Sequence, residues 1–180
     1  MRNLIKLAEQ GNPNSQFELG VKYANGTDVV QDYAKAAFWF EKAAQQGHET
    51  AQYNIGQCYE KGLGVQQNYI LAFKWYQEAA LQGDVDAMSN IGLYYYLGQG
   101  TYQDYGDAIY WWEKAASLRD NRAAYNLGIC YFNGNGVQKN LFKAEEWFLK
   151  AKELAHPKAS EMLEKVKMKK MFQLFEKYNQ

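Results

Sequence analysis

Cysteine, proline and histidine are scarce: 180 residues contain two of each. Two cysteines cannot supply a disulfide framework. Two histidines, with no carboxylate or cysteine at metal-ligand spacing, give no metal site. Excess charge of either sign is also missing, since 20 Lys and Arg balance 20 Asp and Glu. A neutral chain has no overall field to draw in nucleic acid or an anionic membrane. No stretch approaches the ~20 apolar residues of a membrane span. The opening "MRNLIKLAEQ" has neither the apolar core nor the cleavage site of a signal peptide. A cytoplasmic location, no metal and no cofactor are the resulting expectations. Chemistry is equally sparse. No Ser/His/Asp arrangement stands out. "GLG" and "GNG" (Gly62–Gly64, Gly134–Gly136) follow no strand and precede no Gly-Lys-Ser/Thr, so they read as turns.

Aromatics and repetition are what the chain has. Phe, Trp and Tyr make up 16% of it, a composition that folds. Gly20, Gly56, Gly92 and Gly128 stand 36 residues apart without slippage. They divide the chain into units 11–46, 47–82, 83–118 and 119–154. First halves read "SQFELGVKYANG", "AQYNIGQCYEKG", "AMSNIGLYYYLG" and "AAYNLGICYFNG". Second halves read "YAKAAFWFEKAA", "YILAFKWYQEAA", "YGDAIYWWEKAA" and "LFKAEEWFLKAK". Residues 1–10 resemble the end of a second half, and 155–180 a first half with Glu164 in place of the repeat glycine. Both read as caps on an array.

Each half reads as one helix. Ala51, Ile55 and Tyr59 form an i, i+4, i+8 stripe in the first; Ala72, Trp75, Tyr76, Ala79 and Ala80 line the second. Gly26, Gly62, Gly98 and Gly134 sit where a left-handed residue would close the first helix. Asp32, Asn68, Asp104 and Asn140 sit where an N-cap would open the second. Pro13 and Pro157 are expected at first helical positions. The mid-helix glycine costs about 1 kcal/mol in propensity, so its fourfold recurrence implies close approach of the partner helix. The expected fold is all-α: stacked helical hairpins forming a right-handed α/α superhelical solenoid.

The unit "AQYNIGQCYEKGLGVQQNYILAFKWYQEAA" resembles the Sel-1-like repeat family, relatives of the tetratricopeptide repeats. The resemblance runs nearly the whole chain. Asp28, Thr101, Arg119 and Leu141 depart from the pattern. It implies an adaptor in protein complexes, in some bacterial members an effector-neutralising or virulence-associated protein. A secreted branch, stapled by a cysteine pair in each repeat, is linked to β-lactam binding or hydrolysis. That branch supplies the enzymatic alternative, which the missing cysteine pairs weaken.

Binding is expected on the first helices, which should line the inner face. Asn54, Asn90 and Asn126 recur two residues before the glycine, with Glu18 in the first unit. Asparagine is a poor helix former that can bond both N–H and C=O of an extended peptide. One turn on come Lys22, Cys58, Tyr94 and Cys130, then Asn25, Lys61, Leu97 and Asn133. The expected partner site is Asn54, Asn90, Asn126, Tyr94 and Lys61, with Tyr53 and Tyr125 beside them. In the run Tyr94-Tyr95-Tyr96, Tyr95 is expected in the core and Tyr94 in the groove. His48 and His156 read as solvated residues near helix starts. Cys58 and Cys130, two repeats apart, read as free thiols too far apart to join. From Ala155 onward six Lys face three Glu, a local +3 against −3 in residues 1–154. Met162, Val166, Met168, Met171, Phe172 and Phe175 give that segment more apolar surface than a cap needs, an excess that could serve a homodimer or a partner contact.

Overall fold

The computed structural model describes residues 1–178. They form ten α-helices: α1 Arg2–Glu9, α2 Pro13–Asn25, α3 Tyr33–Gln45, α4 Glu49–Lys61, α5 Tyr69–Gln82, α6 Val85–Leu97, α7 Tyr105–Ser117, α8 Asn121–Asn133, α9 Leu141–Glu153 and α10 Ala159–Tyr178. Each packs mainly on its neighbours in sequence. Even-numbered helices make one layer and odd-numbered helices the other. Local signals set the ends. Gly26, Gly62, Gly98 and Gly134 all close their helices with left-handed backbone. The carboxylates of Asp32 and Asp104 and the amide oxygens of Asn68 and Asn140 accept from backbone N–H groups of the helices they open. Pro13 starts α2 as expected. Pro157 does not start α10, which begins two residues later at Ala159, after a turn.

The mid-helix glycines hold each hairpin together. A Cβ added at Gly20, Gly56 or Gly128 would lie 2.7, 2.8 or 2.6 Å from the ring of Phe40, Tyr76 or Phe148. At Gly92 it would overlap the indole of Trp112. That indole is pinned, because its Nε1–H donates to the Ser89 carbonyl at 3.0 Å. The ring of the second helix therefore lies directly on bare backbone of the first. Between hairpins the tight spot is the loop. A side chain at Gly64 or Gly100 would overlap the backbone at Tyr33 or Tyr69 of the preceding unit. Asp28 takes that position in the first unit at φ 63°. Its carboxylate accepts from Lys22 Nζ at 2.8 Å, and the described residues include no earlier hairpin to press on it.

Arg119 and Ala155 stand at unit starts with φ 69° and 61°. An added Cβ at the equivalent Gly47 meets nothing within 4 Å. A side chain therefore fits there, at a backbone cost of about 1 kcal/mol. At the C-terminal end, Lys170 stands where Gly134 closes α8, and α10 runs on to Tyr178.

Candidate functional site

Each first helix has three faces. One carries the glycine and meets its own second helix. A second carries Ala51, Ile55 and Cys58 in α4, Ala87, Ile91 and Tyr94 in α6, and Ala123, Leu127 and Cys130 in α8. All nine are at most 5% exposed, packed towards the preceding hairpin. The third remains open. Its residues step by four, three and four: Thr50, Asn54, Gln57 and Lys61; Asp86, Asn90, Leu93 and Leu97; Arg122, Asn126, Ile129 and Asn133. That spacing is one helical stripe. Three stripes side by side make a ribbon across α4, α6 and α8. Asn14, Glu18, Val21 and Asn25 extend it onto α2. Successive first helices also touch: Arg122 pairs with Asp86 at 2.5 Å across α6 and α8. Asn135 Nδ2 donates to the Tyr96 hydroxyl at 2.6 Å.

The asparagine row lies on this ribbon as expected. Asn54, Asn90 and Asn126 are half-buried, and Lys61 is exposed. Asn54 donates to the Thr50 carbonyl at 2.7 Å, one turn back in its own helix. Tyr94 does not join them. It is 1% exposed, with its ring against Phe73 (6.2 Å between centroids), Tyr76 (5.7 Å) and Tyr69 (6.4 Å). Its hydroxyl donates towards Glu60 at 3.4 Å, and Tyr76 donates to the same carboxylate at 2.8 Å. Burial first, and the Glu60 charge second, push both phenols far above their ordinary range. Neither ionises at physiological pH, so both remain donors. The expectation for the tyrosine run is thus inverted. Tyr94 is core, while Tyr95 and Tyr96 are half-buried. Leu93, 39% exposed, takes the groove position assigned to Tyr94.

Tyr53 and Tyr125 are half-buried at the seam with the second helices. Tyr53 packs on Tyr76 (5.6 Å) and accepts from Gln57 Nε2 at 2.9 Å. Tyr125 packs on Phe148 (5.6 Å) and stacks on His156 (4.1 Å). Phe17 stacks on His48 in the same way, at 4.6 Å. The histidines are therefore half-buried aromatic partners rather than solvated residues; His48 also caps the start of α4, and His156 accepts from Lys158 N–H in the turn before α10. In the third unit Ser89 Oγ bonds Asp120 at 3.0 Å instead. One seam position is filled by ring stacking at two places and by a hydrogen bond at a third.

The inter-hairpin packing is uneven. Between α2, α3 and α4 lies a cleft of about 270 Å³, with Ala24, Asn25, Tyr33, Phe40, Asn54 and Cys58 among its walls. Tyr94 is the repeat equivalent of Cys58, and its ring fills the corresponding place in the next interface. Cys58 and Cys130 are both free and buried, with burial pushing the thiols up to about 11 and 12. On α10, Met162 and Val166 are buried against the body, while Met168, Met171, Phe172, Leu174, Phe175 and Tyr178 are 51–85% exposed.

A family model described as Sel1 repeat matches residues 13–48, 50–84, 85–120 and 121–156. A protective antigen present in uropathogenic Escherichia coli strains, described as displaying an SLR fold, matches with a TM-score of 0.82 and 35% identity. The match covers 88% of this chain and 34% of that one. A Sel1 repeat protein from Oxalobacter formigenes also gives 0.82, with 37% identity over 86% of this chain and 61% of its own. The chain thus spans about a third and three-fifths of these two proteins. Helicobacter pylori cysteine rich protein B shares the fold at a TM-score of 0.52 and 22% identity, over 68% of this chain and 87% of that one. A search of curated proteins finds no match.

Proposed function

The chain belongs to the Sel1 repeat family, and on that premise we propose that it is a non-enzymatic scaffold holding one protein partner along the open ribbon of its first helices. The asparagine row carries this reading. Three amides in register, half-buried beside Leu93, Leu97 and Ile129, offer donors and acceptors to a backbone with apolar contact alongside. Asparagine is a poor choice for helix formation alone. A dedicated inhibitor of a bacterial effector, acting in the cytoplasm, is the specific form implied by the family resemblance. The test is capture from the native cell by wild type, by Leu93→Asp and by Phe38→Asp on an outward-facing second helix. A partner kept by Phe38→Asp and lost by Leu93→Asp supports the ribbon. One kept equally by both overturns it. Nitrocefin turnover by the purified protein would instead favour the enzymatic alternative.

The run-on of α10 supports a second contact, with another copy of the chain. Six large apolar side chains, more than half exposed, amount to roughly 800 Å² on the scale of aromatic burial. That is about one partner's share of a stable interface. Light scattering should show a wild-type dimer and a monomeric Met171→Glu/Phe175→Glu variant. A monomeric wild type ends this proposal.

A further inference from the structure

The cleft between the first two units has an occupant elsewhere in the molecule. At each interface, two first-helix positions decide how the space between hairpins is filled. Where unit 2 meets unit 3, these are Glu60 and Tyr94, and the Tyr94 ring fills it against Tyr69, Phe73 and Tyr76. Where unit 3 meets unit 4, they are Tyr96 and Cys130, and the Tyr96 ring packs on Tyr105 (5.2 Å) and Trp112 (5.5 Å). Where unit 1 meets unit 2, they are Ala24 and Cys58, both small. No ring is supplied, and about 270 Å³ stays open. A cavity of about 150 Å³ already holds benzene, so this one has room for a phenol.

Its walls suit that ligand. Phe40 offers an aromatic surface, as Tyr76 does to Tyr94. Asn25, Asn54 and Gln57 add amides at the ribbon side, where a phenol hydroxyl could bond. Asn54 also belongs to the asparagine row, so the cleft opens beside the ribbon. We propose that this cleft is an anchor pocket for an aromatic side chain, tyrosine above all, presented by the partner. The partner completes the packing that Tyr94 completes internally one repeat later. A buried aromatic in a preformed pocket is the usual form of an interface hot spot. The proposal rests on the ribbon reading and assigns the partner an aromatic residue at its end nearest α2.

N-acetyl-L-tyrosinamide can test this without the partner. Titrated into the full chain and followed by NMR, it should give saturable shifts at the Asn25, Asn54 and Gln57 side-chain amides, with millimolar affinity. N-acetyl-L-leucinamide should bind at least about tenfold more weakly. Cys58→Tyr, which copies Tyr94 into the pocket, should abolish the shifts while leaving the circular dichroism native. Should that variant misfold, Ala24→Phe fills the same space by copying Phe132, which stands at the Ala24 position of unit 4 and packs against the cluster of Leu141, Phe148 and Val166. Absence of saturable shifts overturns the pocket. So does binding that survives a folded filling variant, or equal binding of the leucine amide. Its failure is separable from that of the ribbon. No tyrosine-amide binding, with capture still lost in Leu93→Asp, removes the pocket alone. A working pocket with capture unaffected by Leu93→Asp removes the ribbon alone.

Discussion

The interface between units 1 and 2 and the interface between units 2 and 3 are built from the same helices in the same order, yet one is open and the other closed. In the closed one, Tyr94 is 1% exposed and donates towards Glu60. In the open one, Cys58 covers its own surface, at 5% exposure, but fills little space. Regular backbone therefore does not imply uniform packing. In a solenoid each interface is a separate contact between neighbours, so volume can be withheld from one without disturbing the rest.

Truncating the filler should have the largest effect on this contrast. Tyr94→Ala leaves a cavity among three rings and removes a donor from Glu60, and should cost about 3–5 kcal/mol in urea unfolding. Cys58→Ala should cost far less. Equal costs would mean that the two interfaces do not differ energetically. Next come the glycine contacts inside the hairpins. Gly92→Ala should destabilise by about 1–3 kcal/mol despite its better helix propensity. Gly128→Ala should cost less, because the Phe148 ring can shift while the Trp112 indole is hydrogen-bonded. A raised unfolding midpoint for Gly92→Ala would refute the close-approach account. Third, Cys58→Tyr should change stability by less than about 1.5 kcal/mol, since it fills existing space. A larger loss would show that the open interface is not shaped like the closed one.

The smallest effect separates the thiols. Both are pushed upward, Cys58 to about 11 and Cys130 to about 12. Only about one in a thousand Cys58 side chains is thiolate at pH 8, so both should react slowly with a disulfide reagent. Cys58, which lines the open cleft, should react first, and faster as pH rises. Prior reaction of Cys130 would contradict the difference in access.

Much of this was legible in the chain. Helix ends followed from residues that act locally: left-handed glycines at closures, Asp and Asn at openings. The one failure at an end was Pro157, where a turn intervenes before α10. The ring-on-glycine contact was legible because a costly residue recurred at one position. The ribbon was half legible. Asn54, Asn90, Asn126 and Lys61 lie on it, and Tyr94 does not. The signal that would have placed Tyr94 was present: Ala87, Ile91 and Tyr94 step by four and three, as do Ala51, Ile55 and Cys58. That spacing marks a buried stripe as well as Ala51, Ile55 and Tyr59 do. A first helix packed on two sides has two such stripes, and choosing one of them left the other looking exposed.

The sequence by itself determined the hairpin, its ends and its closest contact, because each depends on the backbone demands of one position and its immediate neighbours. The tertiary structure alone decided which faces of the first helix are covered and which interface stays open. Both depend on summed side-chain volume from residues such as Ala24, Phe40 and Cys58, which are distant in sequence and meet only when one hairpin packs on the next.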